Sequence, residues 1–369
     1  MSSTSPSPLP AAAVAPADAS AVGRSAGPSS LAELEDLLTT PSPALVADMA
    51  ARSGDLVILG AGGKMGPSLT VLARRALDAA GRTGDAVHAV SRWSDPAQAD
   101  HLRDAGVHVV TADLMTGDPA VLAGLPDGAD VVYMVGAKFG TSSAPSLAWA
   151  ANAALVSDVA RRYADSTIAA FSTGNVYPLV PVSSGGCSED DPTGPVGEYA
   201  MSCLGRERLF QHAALTRGTK VANIRLNYAV DLRYGVLADI AHRVRTGEPV
   251  DVTTGHANVV WQGYANEVAL RSLLHATDGS AFTLNLTGPE TASVRRLARW
   301  FGEEFGQEPV VVGEEAPTAL LSDASRCHAL FGYPDVSLRT LVEWQADWLR
   351  RGLPLSGKPT KFQVRDGRF

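Results

Sequence analysis

A glycine-rich loop between a short apolar run and a helical segment places the strongest constraint on the fold of this chain. The apolar run covers residues 56–59, the loop reads G-x-x-G-x-x-G over residues 60–66, and residues 67–80 have helical apolar spacing. Glycines at these intervals allow a tight turn, a close approach of backbone to a pyrophosphate, and contact between helix and strand. The helix N-terminus then faces the phosphates. The loop therefore predicts a dinucleotide site at the end of a first β-strand.

Strand-like and helix-like segments alternate after this loop. Further strands are predicted at residues 86–91, 107–111, 131–135, 167–172 and 220–226, and helices at 146–163 and 199–216. Such alternation builds a parallel, doubly wound sheet. We therefore predict an α/β Rossmann fold with a smaller C-terminal substrate domain. The Rossmann domain is expected over residues 54–227, and the substrate domain with a C-terminal tail over residues 228–369.

The residues before the main domain divide into two parts. Residues 1–29 contain few large apolar side chains and are predicted to be a disordered leader. Residues 30–53 are predicted to form a helical appendage, in which Ser30 and Glu33 have the spacing of a capping box. We expect this appendage to pack on the main domain or on a partner subunit.

Charge and composition narrow the class of protein. The formal net charge is −8, which argues against a nucleic-acid surface. No apolar run approaches the roughly 20 residues that cross a bilayer. The three cysteines have neither metal-ligand spacing nor the even number of a disulfide framework, so no metal site is predicted. We expect a cytoplasmic enzyme with a small-molecule substrate, and a homodimer is left open.

The residues after the second and third strands bear on the choice of cofactor. Ser91-Arg92 ends the second strand, where an acidic side chain would bind the ribose of NAD. Because no acid is present and Arg92 can pair with a 2′-phosphate, we expect NADP to be preferred over NAD. A solvated loop charge is the other interpretation of Arg92. Asp113-Leu114 follows the third strand, where Asp113 either accepts from the adenine amino group or caps a helix.

Several motifs together have the order and spacing of one enzyme family. Besides the glycine loop, they are Asp113-Leu114, Ser172-Thr173-Gly174-Asn175-Val176-Tyr177, Glu198-Tyr199 and Asn223-Ile224-Arg225-Leu226-Asn227. On these motifs the chain resembles the extended short-chain dehydrogenase/reductase superfamily, and within it the NAD-dependent epimerase/dehydratase branch. The resemblance covers residues 55–348. It implies an NAD(P) cofactor and a sugar-like substrate under the C-terminal domain.

The resemblance also implies roles for individual residues. Tyr199 would donate or accept the proton, and Thr173 would hydrogen-bond the reacting oxygen. A strand-end hydroxyl that caps the backbone, and a buried aromatic residue, are the rival interpretations. The predicted cofactor-binding residues are Gly60, Gly62, Gly63, Lys64, Met65, Gly66, Arg92, Asp113, Leu114, Val135, Gly136 and Cys203. The predicted substrate-binding residues are Lys138, Asn175, Asn227, Tyr228 and Arg233.

Cys203 departs from the family pattern. It lies four residues after Tyr199, where the family carries the lysine that holds the cofactor ribose and lowers the tyrosine pKa. A thiol is neutral or negative and cannot supply that charge. We expect Cys203 to be a packing residue, with a reactive thiol as the alternative. Lys138, after the fourth strand, is predicted to substitute for the lysine as a catalytic residue, although a solvated loop lysine is the rival interpretation. Arg206 is expected to form a structural ion pair.

Three functions remain open from the sequence. The first is an NAD(P)-dependent oxidoreductase or epimerase that acts on a hydroxyl or keto group of a sugar-like molecule. The second is a non-redox lyase or isomerase on the same scaffold. The third is a cofactor-binding protein without turnover, against which the presence of Thr173 and Tyr199 argues.

Overall fold

Seven parallel strands form the central sheet of the protein, whose computed structural model describes residues 26–358 and 360–369. The strands are β1 (Leu56–Leu59), β2 (Val87–Ser91), β3 (His108–Thr111), β4 (Asp130–Tyr133), β5 (Thr167–Thr173), β6 (Lys220–Leu226) and β7 (Phe282–Leu286). Their order across the sheet is β7-β6-β5-β4-β1-β2-β3. Every neighbouring pair is parallel. The predicted doubly wound α/β fold is confirmed.

Thirteen α-helices are assigned within the described residues. They are α1 (Leu31–Thr39), α2 (Pro43–Ala50), α3 (Gly66–Ala79), α4 (Pro96–Asp104), α5 (Pro119–Ala123), α6 (Pro145–Trp149), α7 (Leu155–Arg162), α8 (Gly197–Arg217), α9 (Val236–Thr246), α10 (Gln262–Arg271), α11 (Val294–Phe305), α12 (Ser325–Phe331) and α13 (Leu338–Arg350). A π-helical turn, Ala150–Ala154, joins α6 to α7. Short 3-10 turns occur at Leu114–Thr116, Gly174–Val176, Val182–Ser184 and Ser272–Leu274.

Both faces of the sheet are covered because side chains alternate along each strand. In β1, Ile58 packs into a core shared with α2, α3 and α10. Its neighbours Val57 and Leu59 face the opposite core, which α7 and α8 complete. All four residues of β1 are buried, as expected for a parallel sheet between two helical layers.

The chain beyond β6 builds a second lobe around α9, α11 and α13, whose apolar side chains form a separate core. Four pairs of two-residue strands tie its loops together: Val180–Pro181 with Thr318–Ala319, Ala229–Val230 with Val260–Trp261, Val250–Asp251 with Val311–Val312, and His256–Ala257 with Ala292–Ser293. The lobe is not a simple C-terminal block, because β7 returns to the central sheet beside β6. The boundary at residues 227/228 stays a prediction.

The helical appendage packs on the body of the protein. Ser30 caps α1 by accepting a hydrogen bond from the backbone N–H of Glu33 at 3.2 Å. Leu34 of α1 is buried in the core of the second lobe, whereas Leu45 of α2 is buried in a core of the central sheet. Of the predicted leader, residues 1–25 lie outside the described residues. Within the described part of the chain, no helix combines the length and apolarity needed to span a membrane.

Candidate active site

The carboxyl ends of four strands meet around a cavity of about 380 Å³, which we call the main cavity. The glycine loop after β1 forms one side, and the segments after β4, β5 and β6 form the floor. The first turns of α8 and α9 complete it, through Tyr199 and Val236. In open parallel sheets, ligands bind at the carboxyl ends of the strands, at the switch point where the strand order reverses. The reversal here lies between β1 and β4.

The glycine loop forms a bare backbone cradle for a dinucleotide. Gly60 has φ +88°, and a Cβ added there would lie 2.8 Å from the Val135 nitrogen. At Gly66, the first residue of α3, a Cβ would lie 2.1 Å from the Ala61 oxygen. Gly63 faces the cavity, and a Cβ there would approach no atom closer than the Gly60 oxygen at 3.6 Å. The cradle and the start of α3 therefore fit a pyrophosphate.

The residues predicted to contact the ribose and the adenine, after β2 and β3, do not line the main cavity, whereas the glycine loop does. Arg92 is exposed and does not line the main cavity. Ser91 packs against Gly62, where an added Cβ would lie 2.4 Å from its hydroxyl oxygen. Asp113 accepts a hydrogen bond from the Met115 N–H at 2.9 Å and caps the 3-10 turn, and Leu114 packs against the sheet core. Asp113 therefore makes the contact of a helix cap in this structure.

Tyr199 and Thr173 face the same cavity. Thr173 is the last residue of β5, and Tyr199 lies in the first turn of α8. The Thr173 oxygen accepts two hydrogen bonds from Asn175, at 3.2 Å from the backbone nitrogen and 3.0 Å from Nδ2. Those two donors leave the Thr173 hydroxyl hydrogen free to donate to Tyr199, and that bond lowers the pKa of the phenol. Burial outweighs this effect, so the pKa of Tyr199 is raised overall.

A buried ion pair holds α8 against the sheet behind these two residues. The Arg225 Nη2 atom lies 2.7 Å from the Glu207 Oε2 atom, and both side chains are almost fully buried. Ser172 donates to Glu207 at 2.5 Å, and Arg225 donates to the Tyr177 hydroxyl at 2.7 Å. The pair therefore connects β5, β6 and α8 and fixes the helix that carries Tyr199.

Cys203 and Lys138 both lie near Tyr199. Cys203 is buried one turn along α8, among Val176, Tyr177 and Cys187, and burial raises the pKa of its thiol. The Lys138 ammonium lies 5.9 Å from the centre of the Tyr199 ring. Burial, followed by the nearby charge of Lys361, lowers the pKa of Lys138 to about 8.

Arg206 is a buried cation in the wall of the cavity. Its guanidinium donates to the backbone oxygen of Asn152 at 3.1 Å, to Asn152 Oδ1 at 2.9 Å and to the Phe171 oxygen at 2.6 Å. A Cβ on Gly136 would lie 2.9 Å from Arg206 Nη2, so this glycine makes room for the guanidinium. Among the described residues Arg206 has no carboxylate partner, so the expected ion pair is wrong. The charge of Arg206 nevertheless acts on Tyr199, because it lowers the pKa of the phenol.

Three of the predicted substrate residues line the cavity together with Lys138: Asn175, Asn227 and Tyr228. The Asn227 Oδ1 atom is buried without a hydrogen-bond partner among the described residues, and its neighbour Tyr228 has φ +33°, a strained value for a bulky residue. Arg233 is placed elsewhere. It pairs with Glu35 and Asp231 and does not line the main cavity.

Residues 360–369, which we call the C-terminal segment, lie beside the cavity next to Tyr199. The Phe369 ring packs edge-on against Tyr199, with 5.5 Å between ring centres. Gly140 N–H and the Ser142 hydroxyl both donate to the Phe369 oxygen at 3.1 Å. Gly367 lies so close to the turn before α8 that a Cβ would be 2.2 Å from the Val196 oxygen. Sequence reasoning placed no site residue in this segment, because nothing local in it indicates the cavity it covers.

The fold and the cavity define a dinucleotide-binding α/β enzyme of the Rossmann type. The sequence profile of the NAD dependent epimerase/dehydratase family matches residues 56–287. Because that span is more than half of the chain, the protein belongs to this family, and the expected resemblance at family level is confirmed. Curated protein sequences include no significant match to the chain.

Solved structures of similar fold include UDP-sugar epimerases and a complex with a UDP-sugar. UDP-glucuronic acid 4-epimerase from Bacillus cereus in complex with NAD aligns with a TM-score of 0.66 at 16% identity, over 80% of this chain and 99% of that one. The UDP-glucose 4-epimerase complex with NAD from Thermus thermophilus gives 0.62 at 19%, over 80% and 99%. MoeE5 in complex with UDP-glucose and NAD gives 0.63 at 19%, over 81% and 99%. At these identities the similarity shows the fold.

The expected preference for NADP is wrong. The family is described as NAD dependent, and the three structures above contain NAD. The physical reason lies at Arg92, whose side chain is exposed and outside the cavity lining. The absence of an acid after β2 was therefore not a sign of a 2′-phosphate site.

Proposed function

We propose that the protein is an NAD-dependent oxidoreductase or epimerase that acts on a hydroxyl or keto group of a sugar-like small molecule. The observation that supports this most is the convergence of Tyr199 and Thr173 on the cavity that the glycine loop also lines. The UDP-sugar ligands of similarly folded proteins support the substrate class. Residues 228–369 supply most of the substrate side.

NAD is held in this proposal by the loop of residues 60–66, and it supplies the acceptor for a hydride. Tyr199 takes the proton of the substrate hydroxyl while the adjacent C–H bond breaks, which leaves a carbonyl. Thr173 donates a hydrogen bond to the reacting oxygen. Asn227, whose Oδ1 is buried without a partner among the described residues, accepts from a second substrate hydroxyl. In the reverse direction Tyr199 returns the proton to the carbonyl oxygen, and an epimerisation would require the hydride to return to the opposite face of the carbonyl carbon.

Two cations compensate in part for the lysine that Cys203 replaces. Lys138 approaches Tyr199 from the substrate side, and Arg206 approaches from within the cavity wall. Arg206 favours the phenolate, as it lowers the pKa of Tyr199. Arginine cannot be deprotonated in a protein, so Arg206 stabilises charge but does not relay a proton. Lys138, with a pKa of about 8, can give up a proton and take it back.

The test is the substitution Tyr199→Phe, with Tyr163→Phe as a matched control. The Tyr163 hydroxyl is buried without a hydrogen-bond partner among the described residues, so its loss should leave turnover near that of the original protein. Tyr199→Phe should lower hydride transfer to NAD at least about a hundredfold, the lower range for a general acid or base. Binding of NAD should be unchanged.

Transient formation of NADH in stopped-flow experiments is the measurement, because an epimerase restores its cofactor. UDP-glucose, UDP-glucuronic acid, glucuronate and glucose serve as trial substrates. If Tyr199→Phe forms NADH as fast as the unaltered protein, the phenol is structural and the proposal fails.

A further inference from the structure

Four aromatic rings lie close to the ammonium group of Lys138, a residue that lines the main cavity, and we call these rings the aromatic box. The distance from Lys138 Nζ to the ring centre is 4.5 Å for Phe369, 5.7 Å for Phe139, and 5.9 Å for both Tyr199 and Tyr228. The rings come from the segment after β4, from α8, from the segment after β6 and from the C-terminal segment. The tertiary fold therefore assembles the box.

The aromatic box does not replace the water that an ammonium group loses on burial. A ring face attracts a cation by about 0.5–2 kcal/mol, but it does not accept the strong hydrogen bonds that the N–H donors of a lysine require. Within the described part of the chain, Lys138 Nζ has no hydrogen-bond acceptor and no carboxylate partner, whereas Lys220 pairs with Asp278. Burial lowers the pKa of Lys138 to about 8, the charge of Lys361 adds to this effect, and Cys203 opposes it.

A lysine in these surroundings keeps a useful fraction of free amine at neutral pH. With a pKa of about 8, roughly a tenth of the Lys138 side chains are uncharged at pH 7, against about one in 2,500 for an unperturbed lysine. The free amine is a nucleophile for carbonyl carbon, and an apolar pocket or a neighbouring cation activates such lysines. Lys138 has both, because Lys361 Nζ lies 5.7 Å from the centre of the Phe139 ring in its box.

Hydrogen bonds fix the backbone that carries Lys138. The Ala137 N–H donates to Asn152 Oδ1 at 2.8 Å, and Asn152 Nδ2 donates to the Ala137 oxygen at 2.9 Å. The Thr141 hydroxyl donates to the Lys138 oxygen at 3.1 Å. Asn152 is fully buried, and its Nδ2 also donates to the Ser202 hydroxyl of α8 at 2.9 Å. The segment after β4 is thereby tied to the helix that carries the phenol, so the amine has a defined place in the site.

Lys64 is the other cavity lysine with a lowered pKa. Burial, followed by the charges of Lys138 and Lys358, lowers it to about 8. Lys64 belongs to the glycine loop, however, and its Nζ lies 3.2 Å from the centre of the Tyr234 ring. The pyrophosphate that fits this loop would favour the charged form of Lys64. Lys138 instead lies near Tyr199, where oxidation of a substrate hydroxyl would leave a carbonyl, so it is the better placed of the two amines.

We propose that Lys138 is a catalytic amine that forms an imine with the carbonyl carbon of a sugar-like aldehyde or ketone in the main cavity. This rests on the proposed function, in which Tyr199 and NAD generate such a carbonyl, and it adds a covalent step to hydride transfer. An imine draws electrons from the neighbouring C–H bond. That is the chemistry of the lyase or isomerase that the sequence also left open.

The condensation balances without an oxidant or a reductant. The Lys138 nitrogen attacks the carbonyl carbon and a C–N bond forms, while the carbonyl electron pair moves to the oxygen. Tyr199, whose phenol burial keeps neutral, gives that oxygen a proton and takes one back from the nitrogen. The same exchange occurs again as the C–O bond breaks. Both amine hydrogens therefore leave with the oxygen as water, the phenol is unchanged, and a C=N bond remains.

Reductive trapping of the imine tests this proposal. The protein is saturated with NADH, the form that hydride transfer leaves, and incubated at neutral pH with glycolaldehyde or dihydroxyacetone. Cyanoborohydride is present, because it reduces imines much faster than carbonyls, and mass spectrometry of peptides identifies the labelled lysines. Lys138 should be labelled at least tenfold faster than Lys220, which is exposed and pairs with Asp278 at 3.9 Å.

Lys138→Arg separates the amine from the charge, because a guanidinium stays charged and cannot be deprotonated in a protein. The second measurement is exchange of the carbonyl oxygen of dihydroxyacetone with isotope-labelled water, which accompanies formation and hydrolysis of an imine. Lys138→Arg should lower the protein-dependent exchange at least tenfold, whereas the matched control Lys220→Arg should leave it unchanged. Both variants should bind NADH like the unaltered protein.

Three results would overturn the proposal: equal labelling of Lys138 and Lys220, faster labelling of Lys64 than of Lys138, and equal oxygen exchange in the two arginine variants. Trapping of an added carbonyl compound requires no hydride transfer. Labelled Lys138 in a protein that never forms NADH would therefore contradict the proposed function alone. Unlabelled Lys138 in a protein that does form NADH would contradict the imine alone.

Discussion

Tyr199 must exchange a proton from surroundings that strongly favour its neutral form. Burial is the largest cause of its raised pKa, and the Cys203 side chain adds to it. Thr173 and Arg206 act in the opposite direction but do not outweigh burial. Oxidation of a hydroxyl requires the phenolate, so its rate should increase with pH throughout the alkaline range until the protein unfolds.

Cys203→Lys should shift that pH dependence. An ammonium next to the phenol favours the charged form and lowers its pKa by about 1–3 units, or roughly 1.4–4 kcal/mol. The midpoint of the rise in turnover should therefore move to lower pH. Cys203→Met, of similar length and without charge, is the control. The pH profile of hydride transfer is the measurement, and an identical profile for the Lys and Met variants would contradict this account.

At this scale the sequence predicted several residues that line one cavity but not every charge near them. Thr173, Asn175 and Tyr199 belong to local motifs, so the sequence could place them at one edge of the sheet. Arg206 was assigned to an ion pair because the π-helical turn that brings Asn152 to its guanidinium has no local signature. Lys361 lies more than two hundred residues from Lys138, and sequence spacing carries no information on such a contact.

The glycine loop is the element in which backbone conformation matters most. Gly60→Ala would introduce both a left-handed alanine and a contact of 2.8 Å with the backbone after β4. Gly81→Ala is a matched control, because Gly81 has φ +75° with open space around it. The control should cost about 1–2 kcal/mol of stability from strain alone.

Gly60→Ala should in addition weaken NADH binding at least tenfold, since the cradle and the segment after β4 would move apart. Fluorescence titration with NADH measures this. Equal affinities in the two alanine variants would mean that the close approach at Gly60 is unimportant for the cofactor.

The bounds of strands and helices were predicted well wherever a short segment has a regular spacing of apolar residues. The strands predicted at residues 56–59 and 220–226 coincide with β1 and β6, and the other predicted strands differ by one or two residues at their ends. The predicted helix over residues 146–163 contains the π-helical turn Ala150–Ala154, because a change from α to π hydrogen bonding leaves the apolar spacing almost intact. The seventh strand was missed, since the segments around it no longer alternate regularly.

In the whole molecule, α1 and α2 join the two lobes. Substitutions at Leu34 should be among the most destabilising, because its side chain is fully buried in the second lobe. Leu34→Ala should lower the free energy of unfolding by about 2–5 kcal/mol. Leu31→Ala, on the same helix but 44% exposed, should change it by about 0.5 kcal/mol or less. Urea denaturation compares the two variants, and similar midpoints would show that α1 is not part of the folded core.

The packing of α1 also has a consequence for the order of events during synthesis. Leu34 shares a core with Trp348, which the ribosome adds about 300 residues later. At about 5–20 residues per second, the interval is roughly 15–60 s. The apolar face of α1 therefore stays uncovered until its partners are synthesised, and this helix is among the last elements that can pack. Slow or interrupted translation of the second lobe would leave that helix exposed to aggregation or proteolysis.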